Sequence, residues 1–374
     1  MEEFPMNFVL PEPLNGNLQQ VAAKVISDKR IDRHDAEVLY NEAPLGWLAS
    51  LADTIRRRIN GVNTYYNHNF HIEPTNRCVY NCRFCSYNER NSRTVWDYSP
   101  EEIGRLAASA PERITEIHVV GGVAPGRGTD YYAGLLREIR RVRPGVHLKA
   151  YSAIEISYMA KIDRISLEET LSRLKEAGLD SIPGGGAEIF AEEIREKICP
   201  EKDDAETWLK VHETAHRLGI PTNATMLYGH IEHYSHRTDH LQRLRDLQDR
   251  TRGFNAFIPL KFKHANNPMR EAGEVSVTED LRNYAVSRIF LDNIPHLKAY
   301  WPMIGRDIAQ LSQHFGVDDL DGTIHDSTKI YSEAGAEEKN PSMDETALRS
   351  LIAGAGYIPV ERDSLYRPLN RSEH

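Results

Sequence analysis

The sequence predicts an α/β chain: a closed (β/α)8 TIM-type barrel of parallel strands with helices outside. Three observations carry this. From Asn69 onward, short apolar runs alternate with amphipathic stretches at intervals of roughly 30 to 45 residues. Eight such runs can be counted, and about eight units let a parallel sheet close on itself. Capping signals mark the helix ends between them. Strand-helix alternation forces parallel pairing through right-handed crossovers. An open doubly wound sheet is the competing arrangement.

Residues 18 to 60 read as a helical preface, with Val21, Val25, Val38, Leu39, Trp47, Leu48 and Leu51 recurring among charged residues. The strands expected after it are Phe70 to Ile72, Ile114 to Val120, Val146 to Ala150, Leu179 to Ile182, Thr222 to Leu227, Ala256 to Leu260, Leu297 to Tyr300 and Val317 to Leu320. Ser99-Pro100-Glu101-Glu102 and Ser166-Leu167-Glu168-Glu169 each spell a capping box at a helix start. Further helices are expected at Tyr131 to Val142, Ala205 to Leu218, Arg237 to Gln248, Thr278 to Leu291 and Ile304 to His314. Gly219, Gly253 and Gly316 stand where left-handed caps end three of them. The resulting division is a helical extension over 1–65, the barrel over 66–322, and a C-terminal extension over 323–374. That extension contains a loop at 337–341 and a helix near Glu345 to Ala353, packed on the barrel.

Composition narrows the function. The 374 residues include 46 Lys and Arg against 55 Asp and Glu, dispersed without long single-sign runs, so no basic footprint for nucleic acid exists. No stretch approaches the roughly 18 apolar residues of a membrane span, and Met1-Glu2-Glu3 is acidic where a secretory signal is basic, so a cytoplasmic protein is expected.

Three of the four cysteines fall in Cys78-Val-Tyr-Asn-Cys82-Arg-Phe-Cys85, directly after the first expected barrel strand. In a reducing compartment clustered thiols point to metal rather than disulfides, and thiolate suits zinc or an iron-sulfur cluster. Structural zinc takes four closed ligands, usually in two pairs, whereas this loop offers three. Cys199, in Lys197-Ile198-Cys199-Pro200, is either a small semi-buried residue or a fourth ligand. Three thiolates on a cubane cluster leave one iron open for a ligand.

The C-x3-C-x2-C spacing resembles the radical S-adenosylmethionine (SAM) superfamily, and catalytic loops of barrels gather where this one lies. The resemblance implies a 4Fe-4S cluster on Cys78, Cys82 and Cys85, whose open iron is chelated by SAM. It implies that Phe84 brings its backbone to the adenine, and that Gly121 and Gly122 meet the methionyl amino group. The loop carrying those glycines, Val119 to Gly128, spells neither a P-loop nor a dinucleotide fingerprint. Glu188, after Pro183-Gly184-Gly185-Gly186, suits ribose hydroxyls or is a solvated acid at a helix start. Arg195 suits the SAM carboxylate or a surface ion pair, and Ser152 and Glu155 are candidates of the same kind.

His212-Glu213-Thr214-Ala215-His216 matches H-E-x-x-H, but its helix belongs to the barrel's outer layer, far from the catalytic rim, and no third ligand is indicated. His230, His233, His236 and His240 form a second cluster. His230 follows the strand Thr222 to Leu227 and is the candidate for orienting a carboxylate or relaying a proton.

Longer segments sharpen the resemblance. His71-Ile72-Glu73-Pro74-Thr75-Asn76, Pro183 to Ile189, Asn223 to His230, Ala299 to Gly305 and Val317 to Thr323 are together similar to the aminofutalosine synthase family, over about His71 to Arg362. The resemblance implies a menaquinone-pathway transferase of the futalosine route. In it the 5'-deoxyadenosyl radical adds to the vinyl carbon of 3-[(1-carboxyvinyl)oxy]benzoate. Attack on the ring carbon bearing the ether, rearrangement, loss of carboxylate as bicarbonate or carbon dioxide, and reoxidation then give 6-amino-6-deoxyfutalosine. Methionine is released, and a flavodoxin or ferredoxin is the implied electron donor. Asn223, Thr225, His230 and Arg306 are the candidates for holding this dicarboxylate, with Tyr300 and Trp301 near its ring. The rivals are a cyclic dehypoxanthine futalosine synthase, a deazaflavin-forming synthase and, in another class, a zinc-stabilised non-catalytic binding protein.

Overall fold

The computed structural model describes residues 15–92, 94–323, 333, 335 and 343–369. The loop expected at 337–341 lies outside them. Helices α1 (Gly16–Ile26), α2 (Arg33–Glu42) and α3 (Leu45–Asn60) come first. The α2 start is fixed by a capping box between Asp32 and Asp35.

Seven strands follow: β1 (Asn63–Ile72), β2 (Glu116–Val119), β3 (His147–Ala150), β4 (Thr222–Tyr228), β5 (Phe254–Lys261), β6 (His296–Leu297) and β7 (Asp319–Thr323). β3, β2, β1 and β7 pair in that order, as do β4, β5 and β6. Two gaps remain, and single bridges close them: Lys149 to Ser181 and Ile182 to Thr222 on one side, Lys298 to Asp319 on the other. All these pairings are parallel, so the ring is a (β/α)8-type barrel. The strand expected at Leu179 to Ile182 shrinks to two bridging residues. Pro183 cannot donate to a ladder and the three glycines after it leave the sheet.

Between the strands run α4 (Pro100–Ser109), α5 (Thr129–Val142), α6 (Ala153–Asp163), α7 (Leu167–Glu176), α8 (Glu192–Ile198), α9 (Ala205–Arg217), α10 (Tyr234–Thr251), α11 (Val277–Phe290), α12 (Trp301–Ile304) and α13 (Arg306–Ser312). The Ser99–Glu102 capping box is present. At α7 only Ser166 bonds across, accepting from the Glu169 amide. α10 ends on Arg252 in the left-handed region, φ 53°, rather than on Gly253. After the barrel come α14 (Glu345–Gly354) and β8 (Ile358–Glu361), which pairs with Asn63 to Tyr66 of β1. Among the described residues no helix is long and apolar enough to cross a membrane.

The barrel wall is apolar outside, where Ile117, Val119 and Leu148 are fully buried. Its lumen is ionic: Lys149 pairs with Glu116, Lys298 with Asp321 and Arg362 with Asp319, each at 2.6 Å. Tyr366 stacks on His296 at 3.7 Å, so residues after β8 close the end of the barrel away from the strand C-termini.

Candidate active site

At the C-terminal ends of the strands a cavity of about 260 Å³ is lined by Cys78, Cys82 and Cys85, the Gly121-Gly122 turn, Ser152, Gly185, Gly186, Glu188 and Lys202. Phe84, Leu227, Leu260, Phe262 and Met303 supply its apolar wall.

Backbone contacts hold the cysteine loop from two sides. The Val79 amide donates to Val123 O at 2.9 Å and the Val123 amide to Cys78 Sγ at 3.4 Å. On the other side the Arg83 amide donates to Ile198 O at 2.8 Å and the Asn81 amide to the Glu201 carboxylate at 2.9 Å. Burial pushes the Cys82 and Cys85 thiols up, and for Cys85 this is partly offset by the amides of Asn88 and Tyr87. Thiols so placed ionise when a cation arrives to take them.

The donor set fits a cluster. No disulfide ties these cysteines. Among the described residues, no three of the four sulfurs lie within 4.8 Å of one another. One tetrahedral zinc with bonds of about 2.3 Å needs its sulfurs about 3.8 Å apart. Three thiols on one cavity, with the fourth cysteine outside it, are the donor set of a cluster with one open iron rather than of a closed four-ligand zinc site. Cys199 is buried at the end of α8 and does not line the cavity.

The glycine turn lies flat on the chain that leads into the cysteine loop. A Cβ on Gly121 would stand 2.8 Å from Thr75 O, and one on Gly122 would stand 2.9 Å from the Arg77 carbonyl carbon, closer still to its oxygen. Only glycine permits this approach. Behind the turn, Ser152 and Glu155 form a capping box at α6. Glu155 Oε2 accepts from the Ser152 amide at 2.6 Å and its hydroxyl at 2.7 Å. Burial lifts the Glu155 carboxyl to about 7, against the opposing amides of Ser152 and Gly121.

Glu188 adopts φ 50° and pairs with Lys202, whose ammonium also lies 5.5 Å from the Phe84 ring centroid. Burial disfavours the charged ammonium, but Cys82, Glu188 and Cys199 together hold the Lys202 value above that of an ordinary lysine. Nothing in the sequence marks Lys202. It stands in a loop far from the cysteines and reaches them only because α8 docks on Arg83.

Other expected residues fall elsewhere. Arg195 does not line the cavity: its buried guanidinium donates to the carbonyls of Ala187, Ile189 and Asp203. It is neither a surface ion pair nor placed to meet a SAM carboxylate. His230 is enclosed, with Nε2 3.2 Å from Leu227 O and Nδ1 3.2 Å from the Glu232 carboxylate. Burial lowers its pKa despite Glu232. Asn223 and Thr225 share the lumen face of β4 with Leu227, and the Thr225 hydroxyl donates to Gly184 O at 2.6 Å. Arg306 lines a neighbouring hollow of about 380 Å³ with Trp301, and Lys263 and Met303 line both spaces. Tyr300 and Trp301 are buried, and Trp301 Nε1 donates to Gly322 O, which makes it a core residue.

The H-E-x-x-H imidazoles converge on a hydroxyl, not a metal. His212 Nδ1 and His216 Nε2 both lie 2.8 Å from Thr222 Oγ1, and burial lowers both pKa values, His216 to about 4. In the second histidine group, His240 stacks on Phe190 and meets Thr225 O, while His236 meets Glu193.

The radical SAM superfamily model matches residues 72–244, and a CofH/MqnC C-terminal region model matches 251–374. An aminodeoxyfutalosine synthase from Thermus thermophilus is 46% identical over 356 residues, covering 93% of this chain and 94% of the relative. The chain belongs to the radical SAM superfamily. This radical SAM enzyme is also 36% identical to a cyclic dehypoxanthine futalosine synthase from Streptomyces coelicolor, over 94% of its length and 89% of the relative. A methylornithine synthase crystal structure superposes with TM-score 0.73 at 15% identity, covering 91% of this chain and 97% of that one, which shows the shared fold. Superfamily membership brings the 4Fe-4S cluster and SAM with it.

Proposed function

We propose that this radical SAM enzyme adds the 5'-deoxyadenosyl group to the vinyl carbon of 3-[(1-carboxyvinyl)oxy]benzoate and forms 6-amino-6-deoxyfutalosine. The observation that carries this reading is the 46% identity to an aminodeoxyfutalosine synthase, against 36% to the cyclising enzyme, at nearly equal coverage. In this reading residues 66–322 carry the chemistry, and the flanking segments brace the barrel.

Cys78, Cys82 and Cys85 hold the cluster, which when bound supplies the electron that opens the sulfonium of SAM. The remaining work falls to side chains and backbone that position the reactants. The Gly121-Gly122 turn offers bare backbone to the methionyl ammonium. Lys202 takes the methionyl carboxylate, and Glu188, released from that lysine, accepts from the ribose hydroxyls. Backbone at Phe84 meets the adenine. Leu227, Leu260, Phe262 and Met303 keep water from the radical, so that positioning rather than acid-base chemistry sets the rate. A one-electron carrier of the flavodoxin or ferredoxin type is the expected donor. The test is anaerobic incubation with SAM, a reductant and the enol ether, followed by mass analysis. An adenosylated, decarboxylated product supports the reading. Formation of 5'-deoxyadenosine alone would overturn it.

A further inference from the structure

Beneath the cavity the lumen holds two imidazoles that the positioning scheme leaves unused. His71 of β1 and His118 of β2 are register partners, with ring centroids 4.8 Å apart, and Lys149 is the register partner of His118 on β3. Residues two apart on a strand share a face. Val120 lines the cavity, so His118 faces the same way one layer deeper. Leu260 lines the opposite wall, and Ile258 stands one layer below it. His118 and Ile258, both half-buried, stand on opposite walls of the lumen one layer below the cavity, an imidazole wall facing an aliphatic one. The nearby cations already have partners, Lys149 in Glu116 and Lys298 in Asp321, and Asn69 Nδ2 also donates to Asp321. His118 Nε2 is enclosed without a hydrogen-bond partner, which in a polar lumen marks a place for a ligand atom.

We propose that the His71–His118 pair receives the benzoate carboxylate of the substrate while the ring lies against Ile258 and Leu260. This inference rests on the proposed function. The vinyl carbon has to meet SAM beside the cysteine loop and the glycine turn. The end of the substrate remote from it, the ring carboxylate, therefore points down the lumen.

A protonation consequence follows. In the free enzyme burial, reinforced by His71 and Lys149, holds His118 neutral against the opposing Glu116 and Asp321. Burial likewise lowers His71, with Asp321 and Glu116 opposing and Lys149 and Lys298 reinforcing. An arriving carboxylate favours the imidazolium, so the complex takes up a proton from solvent. Binding then strengthens as pH falls, because the complex holds more protons than the free enzyme, and weakens as pH rises through the bound-state value.

The experiment is calorimetric titration of the SAM-loaded, cluster-containing full chain, without reductant, in buffers of different ionisation enthalpy. The probes are the enol ether and its analogue lacking the ring carboxylate. Expected are proton uptake with the enol ether and, for His118→Gln, affinity weaker by about tenfold or more, as for losing a hydrogen bond to a charge. His71→Gln should move in the same direction. The analogue should bind wild type and His118→Gln alike, and SAM affinity and melting temperature report that each variant is folded. The proposal is overturned if His118→Gln binds the enol ether like wild type, if no proton is taken up, or if the analogue loses as much as the parent. Wild type that binds SAM yet ignores the enol ether would instead sink the functional reading, and the carboxylate site with it.

Discussion

Substituting Gly122 by Ala tests whether the glycine turn sets the position of the cysteine loop. The added methyl would stand 2.9 Å from the Arg77 carbonyl carbon, 3.1 Å from the Asn76 carbonyl carbon, and nearer still to Arg77 O. Ordinary contact begins near 3.4 Å, so the carbonyl carbon alone must retreat by about 0.5 Å, and its oxygen by more. All three atoms are backbone, so no side chain can swing aside. Arg77 precedes Cys78, and the displacement passes straight into the first cluster ligand. Overpacking of this kind costs about 1–3 kcal/mol. The expected outcome is a melting temperature a few degrees lower, impaired iron loading and SAM affinity weakened by about tenfold or more. Iron analysis, calorimetric SAM titration and thermal melts read these three quantities. Gly122→Ala with wild-type iron content and SAM affinity would refute the reasoning.

Further outcomes are expected. Cys78→Ala, Cys82→Ala and Cys85→Ala should each lose the cluster absorbance near about 400 nm and SAM cleavage, whereas Cys199→Ala keeps both; loss in Cys199→Ala alone would reassign the ligands. Lys202→Met should weaken SAM binding by about tenfold or more and, by stranding the buried Glu188 carboxylate, destabilise by about 3–5 kcal/mol, while Lys202→Met/Glu188→Gln recovers stability but not affinity in denaturant and SAM titrations. Thr222→Val should cost roughly 2 kcal/mol by removing the hydroxyl that meets one ring nitrogen of each imidazole, while Glu213→Gln leaves product formation unchanged, the reverse of what a metalloprotease site requires. Glu155 carries its proton up to about 7 in the folded chain against 4.5 ordinarily. Between those values the folded state binds more protons than the unfolded one, so stability falls as pH rises through this window, by about 3 kcal/mol in total. Glu155→Gln should flatten that fall in denaturant titrations at about pH 5 and pH 8.

The features legible in the sequence are those that neighbours along the chain complete. Three thiols within eight residues and a glycine pair after a strand keep their meaning wherever the chain folds, and both line the cavity. β1 was only partly legible, because its lumen face carries Asn67, Asn69 and His71, and polar residues on an inward face mimic a loop. Glu116 and His118 on β2, and His147 and Lys149 on β3, are equally polar inside, but there the apolar outward residues Ile117, Val119, Leu148 and Ala150 mark the whole strand. α6 escaped for the opposite reason: Ala153 to Ser157, Met159 and Ala160 are buried nearly all round, so no amphipathic period shows. His230 follows the end of β4, where barrels place chemistry, and Arg195 follows the glycine run on α8, but backbone carbonyls lie within reach of both side chains. Lys202 joins the site only through tertiary docking of the α8 end on the cysteine loop, a contact no local pattern encodes.

The central claim is that three cysteines hold a cluster and leave one iron for SAM. Mössbauer spectroscopy of the 57Fe-reconstituted enzyme, with and without SAM, addresses it most directly. The expected result is about four irons per chain, one of them changing its isomer shift when SAM is added. One tightly held zinc per chain, or four irons all indifferent to SAM, would contradict the account.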